Sequence, residues 1–284
     1  MANRIGVMVD SFTLGVLDGL DAARKVGAAA VQIYVGGRGA VTETWTPAFR
    51  KDVYKKMTDN GLCVSAMCGD MGGHGFAKPE EHSWRIDETR RMFDLTRELG
   101  GDILTTHIGV IPEDDNHPRR AHLMEAMSKL GGYAKEIGCR IAIETGPEKP
   151  EVLCKFLDEI GCETVGVNYD PANLKMVIGC DPVAGVKTLA GKIFHTHAKD
   201  GKMLQYIGPE TIYGFFAEGG IEDMRMSDYF LETPLGEGDV DFPGWLKALE
   251  EIGYNGFFTI EREVGANAYA DIETAVRFLK ELGL

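Results

Sequence analysis

Four residues, each at the C-terminal end of a strand-like run, could together hold a divalent cation: Glu144, Asp170, His197 and Glu261. Three carboxylates and one imidazole make a hard, mostly oxygen donor set. It suits one Mn2+ or Mg2+ and also accepts Zn2+ or Co2+, with manganese the first expectation. Brought together without a cation, the carboxylates would repel one another strongly. A lone acid at a strand end is usually a cap or an ion-pair partner. Four donors at equivalent ends point instead to a metal site. Further polar residues lie close to them in the chain. His107 ends the run Thr105-Thr106-His107, Asn173 follows Asp170 by three, and Lys199 follows His197 by two. His74 sits in Met71-Gly72-Gly73-His74-Gly75. Each could touch a substrate, and each also has a structural reading: a hydrogen-bonded histidine, or a lysine paired with Asp200 or Glu263.

For these residues to meet, the elements carrying them must converge. Strand-like runs occur at 4–10, 30–35, 62–69, 103–108, 140–144, 165–170, 192–198 and 257–263. Amphipathic stretches separate them; in 87–99, Met92, Leu95 and Leu99 fall at helical spacing. Eight strands alternating with helices predict a parallel sheet closed into a (β/α)8 TIM barrel, and 284 residues suit that fold. No Pro/Gly/Ser-rich linker divides the chain, so one domain over 1–284 is expected. Gly27, Gly61, Gly100-Gly101, Gly138, Gly161 and Gly253 stand where helices should end.

Within each run the polar residues keep one parity. Ile141 and Ile143 oppose Ala142 and Glu144; Val165, Val167 and Tyr169 oppose Gly166, Asn168 and Asp170. Phe194 and Thr196 oppose His195 and His197; Phe258 and Ile260 oppose Thr259, Glu261 and Glu263. Both faces of a parallel barrel strand are covered. The apolar parity must therefore face the helices, and the acids and histidines must face the axis at the C-terminal mouth, where barrel active sites lie. His107 shares axial parity with Thr105.

The segment 199–241 shows no clear strand and carries Tyr206, Tyr213, Phe215, Phe216, Tyr229 and Phe230. A connection this long inside a barrel is expected to act as a lid or subunit contact, the bland alternative being a passive insertion.

The formal net charge of −14 and a pI near 5.0 oppose binding to phosphate backbones or anionic membranes. No nucleic-acid or membrane partner is expected. The apolar start at Ile5 to Val9 is too short for a signal segment, and no run reaches membrane-spanning length. The six cysteines contain no C-x-x-C pair and read as reduced thiols of a cytoplasmic protein. Gly36-Gly37-Arg38-Gly39 fits neither a dinucleotide fingerprint nor a P-loop.

Across nearly its whole length the chain resembles the xylose-isomerase-like barrels, the sugar phosphate isomerase/epimerase family. The resemblance is carried by Ile143-Glu144-Thr145, Asn168-Tyr169-Asp170-Pro171-Ala172-Asn173, His197-Ala198-Lys199-Asp200, Leu235-Gly236-Glu237-Gly238-Asp239-Val240-Asp241-Phe242 and Gly253-Tyr254-Asn255-Gly256 leading to Ile260-Glu261. It implies the same four ligands, a small sugar substrate and a homo-oligomer. It also implies that Glu144 and Glu261 act as acid and base on a keto-sugar, through a metal-stabilised enediolate. Two positions depart from the family: Asn173 stands where many epimerases have histidine, and Lys199-Asp200-Gly201-Lys202 where an arginine is usual. Relatives that dehydrate inososes or cleave 3-keto-glycosides begin with the same proton abstraction, so a lyase is the principal alternative. A three-zinc DNA-repair endonuclease would need histidines this chain lacks, and a non-catalytic subunit would tolerate a degraded ligand set.

Overall fold

Strand and helix alternate until the sheet closes on itself. The computed structural model describes residues 4–284; residues 1–3, the beginning of the start read above as carrying no signal segment, lie outside the described residues. The barrel takes β1 (Ile5–Met8), β2 (Ala30–Tyr34), β3 (Cys63–Cys68), β4 (Ile103–Thr106), β5 (Arg140–Glu144), β6 (Val165–Tyr169) and β7 (Ile193–Ala198). A hairpin of β8 (Asp200–Met203) and β9 (Phe230–Thr233) then intervenes, and β10 (Phe258–Ile260) closes the ring between β7 and β1. All eight barrel pairings are parallel.

The helices are α1 (Val16–Val26), α2 (Ala40–Glu43), α3 (Pro47–Asp59), α4 (His82–Glu98), α5 (Pro118–Ile137) and α6 (Pro150–Ile160). They continue with α7 (Pro171–Asn173), α8 (Pro182–Thr188), α9 (Pro209–Ala217), α10 (Phe242–Glu251) and α11 (Ala268–Glu281). Their limits follow local chemistry. Pro47, Pro118, Pro150 and Pro182 begin helices where a missing N–H costs nothing. Gly27, Gly138 and Gly161 end α1, α5 and α6 in the left-handed conformation. Gly101, expected as part of a cap, serves close packing instead: a Cβ there would lie 2.8 Å from Val64 Cγ1.

The main apolar core lies between barrel and helices. Leu20, Val53, Met92, Leu123, Phe156, Leu249 and Leu279 are fully buried there, each contributing roughly 1.5–3 kcal/mol of transfer free energy. One parity expectation fails. Phe194 does not face the helices; it packs on Ala66, Ile103 and Ala142, and a Cβ on Gly166 would meet its ring at 2.4 Å. The cause is a register shift: Val167 pairs with Ile193 but Asn168 with His195, so Phe194 drops out of the ladder and turns inward.

The 199–241 segment is also more ordered than its sequence suggests. Strands were not expected there, yet β8 and β9 pair antiparallel from Asp200 with Thr233 to Met203 with Phe230. The Asp200 carboxylate fixes the root of this hairpin, accepting hydrogen bonds from the backbone N–H groups of Gly201, Gly236, Gly238 and Val240 at 2.9–3.2 Å. Asp200 is therefore not paired with Lys199, and the Gly-rich stretch after β9 exists to wrap it.

Candidate metal centre

Polar side chains occupy the barrel axis in tiers. Lowest, Ser65 meets Thr259, which meets His195 Nε2 at 2.9 Å. His195 Nδ1 bonds the Asn168 side-chain oxygen at 2.8 Å. Burial, with His197 adding to it, holds His195 neutral, well below the ordinary histidine range. Above, Gln32 donates to Thr105 and accepts from His197 Nε2, both at 2.8 Å. Gln32 thus fixes the His197 tautomer and turns Nδ1 toward the mouth.

Around that nitrogen stand Glu261 Oε2 at 3.3 Å, Glu144 Oε1 at 3.5 Å and Asp170 Oδ2 at 3.5 Å. One donor atom from each of the four residues lies within 4.8 Å of all the others. Donors bound to a common ion at about 2.1 Å stand roughly 3.0–3.5 Å apart. His197 Nδ1 and Asp170 Oδ2 are both buried with no hydrogen-bond partner. Such orphans are costly unless something binds them. Asp170 has the free oxygen because its other one, Oδ1, caps α7 through Asn173 N at 2.8 Å. The donor set and its orphaned atoms fit a divalent cation. With protein groups alone, burial works against charge on both His197 and Glu261. Their mutual attraction, helped by Glu144 and Lys199, still holds the imidazolium well above and the Glu261 carboxyl well below their usual ranges.

The remaining sequence candidates divide by position. Asn173 Nδ2 braces Glu144 Oε1 at 3.1 Å, while Asn168 Nδ2 holds its other oxygen at 3.1 Å. Lys199 is buried and donates to Glu261 Oε2 at 2.9 Å and to Glu263, with Glu232 3.8 Å away. His107 Nε2 stands 4.0 Å from Glu144 Oε1, and its Nδ1 bonds Asp70 at 2.8 Å. Burial opposes charge there too, but Glu144 and Asp70 win, raising His107 to about 10. His74 reaches Glu218, which follows α9, rather than the ligand cluster.

Sequence reasoning passed over Gln32, Asp70 and Glu148, and it named Asn168 only for its axial parity and Tyr213 only as part of the aromatic segment 199–241. Gln32 was detectable as the lone amide in an apolar strand. Tyr213 packs on His107, ring centroids 5.6 Å apart, from a segment whose placement depends on a distant hairpin.

The sequence profile of the xylose isomerase-like TIM barrel matches residues 20–282. The chain belongs to that family. Xylose isomerase-like structures similar to it include a xylose isomerase domain protein from Planctomyces limnophilus, 24% identical, with a TM-score of 0.78 over 98% of this chain and 95% of that one. The D-allulose 3-epimerase from Methylomonas sp. is 16% identical, with a TM-score of 0.71 over 98% and 97%. At such identities the likeness is one of fold. Among curated relatives, an inosose dehydratase from Clostridium tetani is 24% identical over 162 residues, 56% of this chain and 52% of that protein. The chain spans about half the length of the curated relatives it matches.

Proposed function

We propose that this xylose isomerase-like barrel is a metal-dependent isomerase or epimerase of a ketose or keto-sugar, with Glu144 and Glu261 as its acid–base pair. The observation carrying this reading is the convergence of three carboxylates on His197 Nδ1, with that nitrogen and Asp170 Oδ2 buried and without a hydrogen bond. Glu144, Asp170, His197 and Glu261 would hold one divalent ion, Mn2+ first. When bound, the ion supplies Lewis-acid polarisation of the substrate carbonyl.

The chain's own residues supply the proton transfers. One glutamate removes the proton beside the carbonyl and the other returns one from the opposite face. Asn168 and Asn173 fix Glu144 by both oxygens, and Lys199 fixes Glu261 while keeping it ionised. His107, held by Asp70, offers Nε2 to a substrate oxygen. His74 stays a substrate contact only at the rim. A cytoplasmic homo-oligomer completes the reading; no helix among the described residues is long and apolar enough to cross a membrane.

A second reading, dehydration of an inosose or cleavage of a 3-keto-glycoside, is favoured by the inosose dehydratase among the relatives. It needs the same first proton abstraction. Metal analysis followed by incubation in D2O with ketoses, inososes and 3-keto-glucosides tests both. Deuterium entering the recovered sugar or its epimer supports isomerisation; loss of water or aglycone supports the lyase. One tightly held ion with neither reaction on any keto-sugar would sink the proposal.

A further inference from the structure

Resting on the keto-sugar reading, we infer that Tyr213, carried to the barrel mouth by α9, forms with His107 and Glu148 a polar roof that takes the hydroxyls of an uncharged polyhydroxy substrate and disfavours a phosphorylated one. Three observations converge. First, the fold makes room for Tyr213. A Cβ on Gly146, two residues beyond Glu144, would lie 2.4 Å from the Tyr213 hydroxyl and 2.8 Å from Asn173 Cβ. Gly146 also has φ +141°, where a side chain is strained. The tyrosine hydroxyl thus lies against the segment that carries Glu144.

Second, His107, which packs on the Tyr213 ring, and Glu148, on the loop after β5, have unspent hydrogen-bonding capacity. Glu148 is buried and its Oε1 has no partner, while Oε2 receives only a long 3.4 Å bond from Ile111 N. His107 spends Nδ1 on Asp70 and leaves Nε2 facing Glu144 at 4.0 Å. A ligand with several hydroxyls, each both donor and acceptor, matches such a wall.

Third, the charge pattern disfavours an anion. Phosphate recognition needs arginine, lysine or free backbone N–H groups. Barrel enzymes often place it on the loops after their last two strands. Here those loops carry Lys199, held by Glu261 and Glu263, and Arg262, held by Glu232 and Asp271; the further cations of the connection are Lys202, on the β8–β9 hairpin, and Arg225, exposed between its strands. The α9 helix is pinned in place at both ends, by Arg119 with Glu210 and His74 with Glu218.

The test is calorimetric binding to the full chain loaded with Mn2+, using a free ketohexose, an inosose and a ketohexose phosphate. The wild type, Tyr213→Phe and Tyr206→Phe are compared, the last altering an exposed ring of the same segment. An uncharged polyol should bind at least about tenfold more tightly than the phosphate ester. Tyr213→Phe should weaken that binding about tenfold with metal content unchanged, while Tyr206→Phe matches the wild type. Equal or tighter binding of the phosphate ester overturns the inference. So does an unaltered Tyr213→Phe, or no binding of any uncharged polyol. Turnover that ignores Tyr213 removes the roof and leaves the isomerase reading standing; polyol binding without deuterium exchange or elimination removes that reading and leaves the roof.

Discussion

On the proposed reading Glu261 both holds an ion and moves a proton, and one substitution separates the two roles. Replacing it by Gln keeps an oxygen donor and removes the base, so Glu261→Gln should retain about one metal ion per chain while kcat falls roughly 10²–10⁴-fold. Full activity with metal retained would remove Glu261 from the catalytic pair. Glu148 gives a pH prediction. Burial pushes its carboxyl up to about 8, against smaller downward pulls from the Ile111 N–H and His107. A folded-state pKa above the unfolded one means that this residue's contribution is fully present below about pH 4.3 and is lost as pH rises through about 8. In chelator-treated protein, urea unfolding should therefore show Glu148→Gln gaining a few kcal/mol over wild type at pH 9 relative to pH 4. A difference that does not change with pH would show that Glu148 ionises freely.

At the scale of elements, the hairpin root offers a sharp test. A Cβ on Gly238 would fall 2.0 Å from Asp200 Oδ1, the carboxylate that gathers four backbone N–H groups. Gly238→Ala should cost about 3 kcal/mol by overpacking and lost hydrogen bonds, read as a lowered urea midpoint. Its absence would mean the clasp relaxes freely. This clasp also marks what the sequence could and could not tell. The barrel strands were legible because their polar parity and helix-ending glycines are local signals. Parity likewise placed the four candidate ligands on the axis. The β8–β9 pairing was not legible: each strand is four residues long, and the partners lie far apart in the chain. Phe194 misled for a related reason, since a register shift is set between strands and leaves no mark within one. Asp70 and Glu148 come from loops, where no periodicity reports which way a side chain points, and Tyr213 comes from a helix whose place over the mouth is set by the distant hairpin.

For the whole molecule, the proposed cation site predicts that stability depends on the ion. An ion bound at one hundred times its Kd adds about 2.7 kcal/mol, or about 5 °C in Tm for a chain of this size. Chelation should lower Tm by that amount and Mn2+ should restore it, as followed by scanning calorimetry. An unchanged Tm under both treatments would argue that the four donors do not form a cation site in solution. The architecture has a further consequence. Residues 204–229 leave the barrel and return through one clasped hairpin, whose ends are set by the Asp200 carboxylate rather than by what lies between. Loop closure costs only about 0.6 kcal/mol for each doubling of length. The intervening chain is thus an exchangeable cassette: a lineage, or an engineer, can rewrite what covers the barrel mouth while the four candidate ligands on the barrel strands are inherited unchanged.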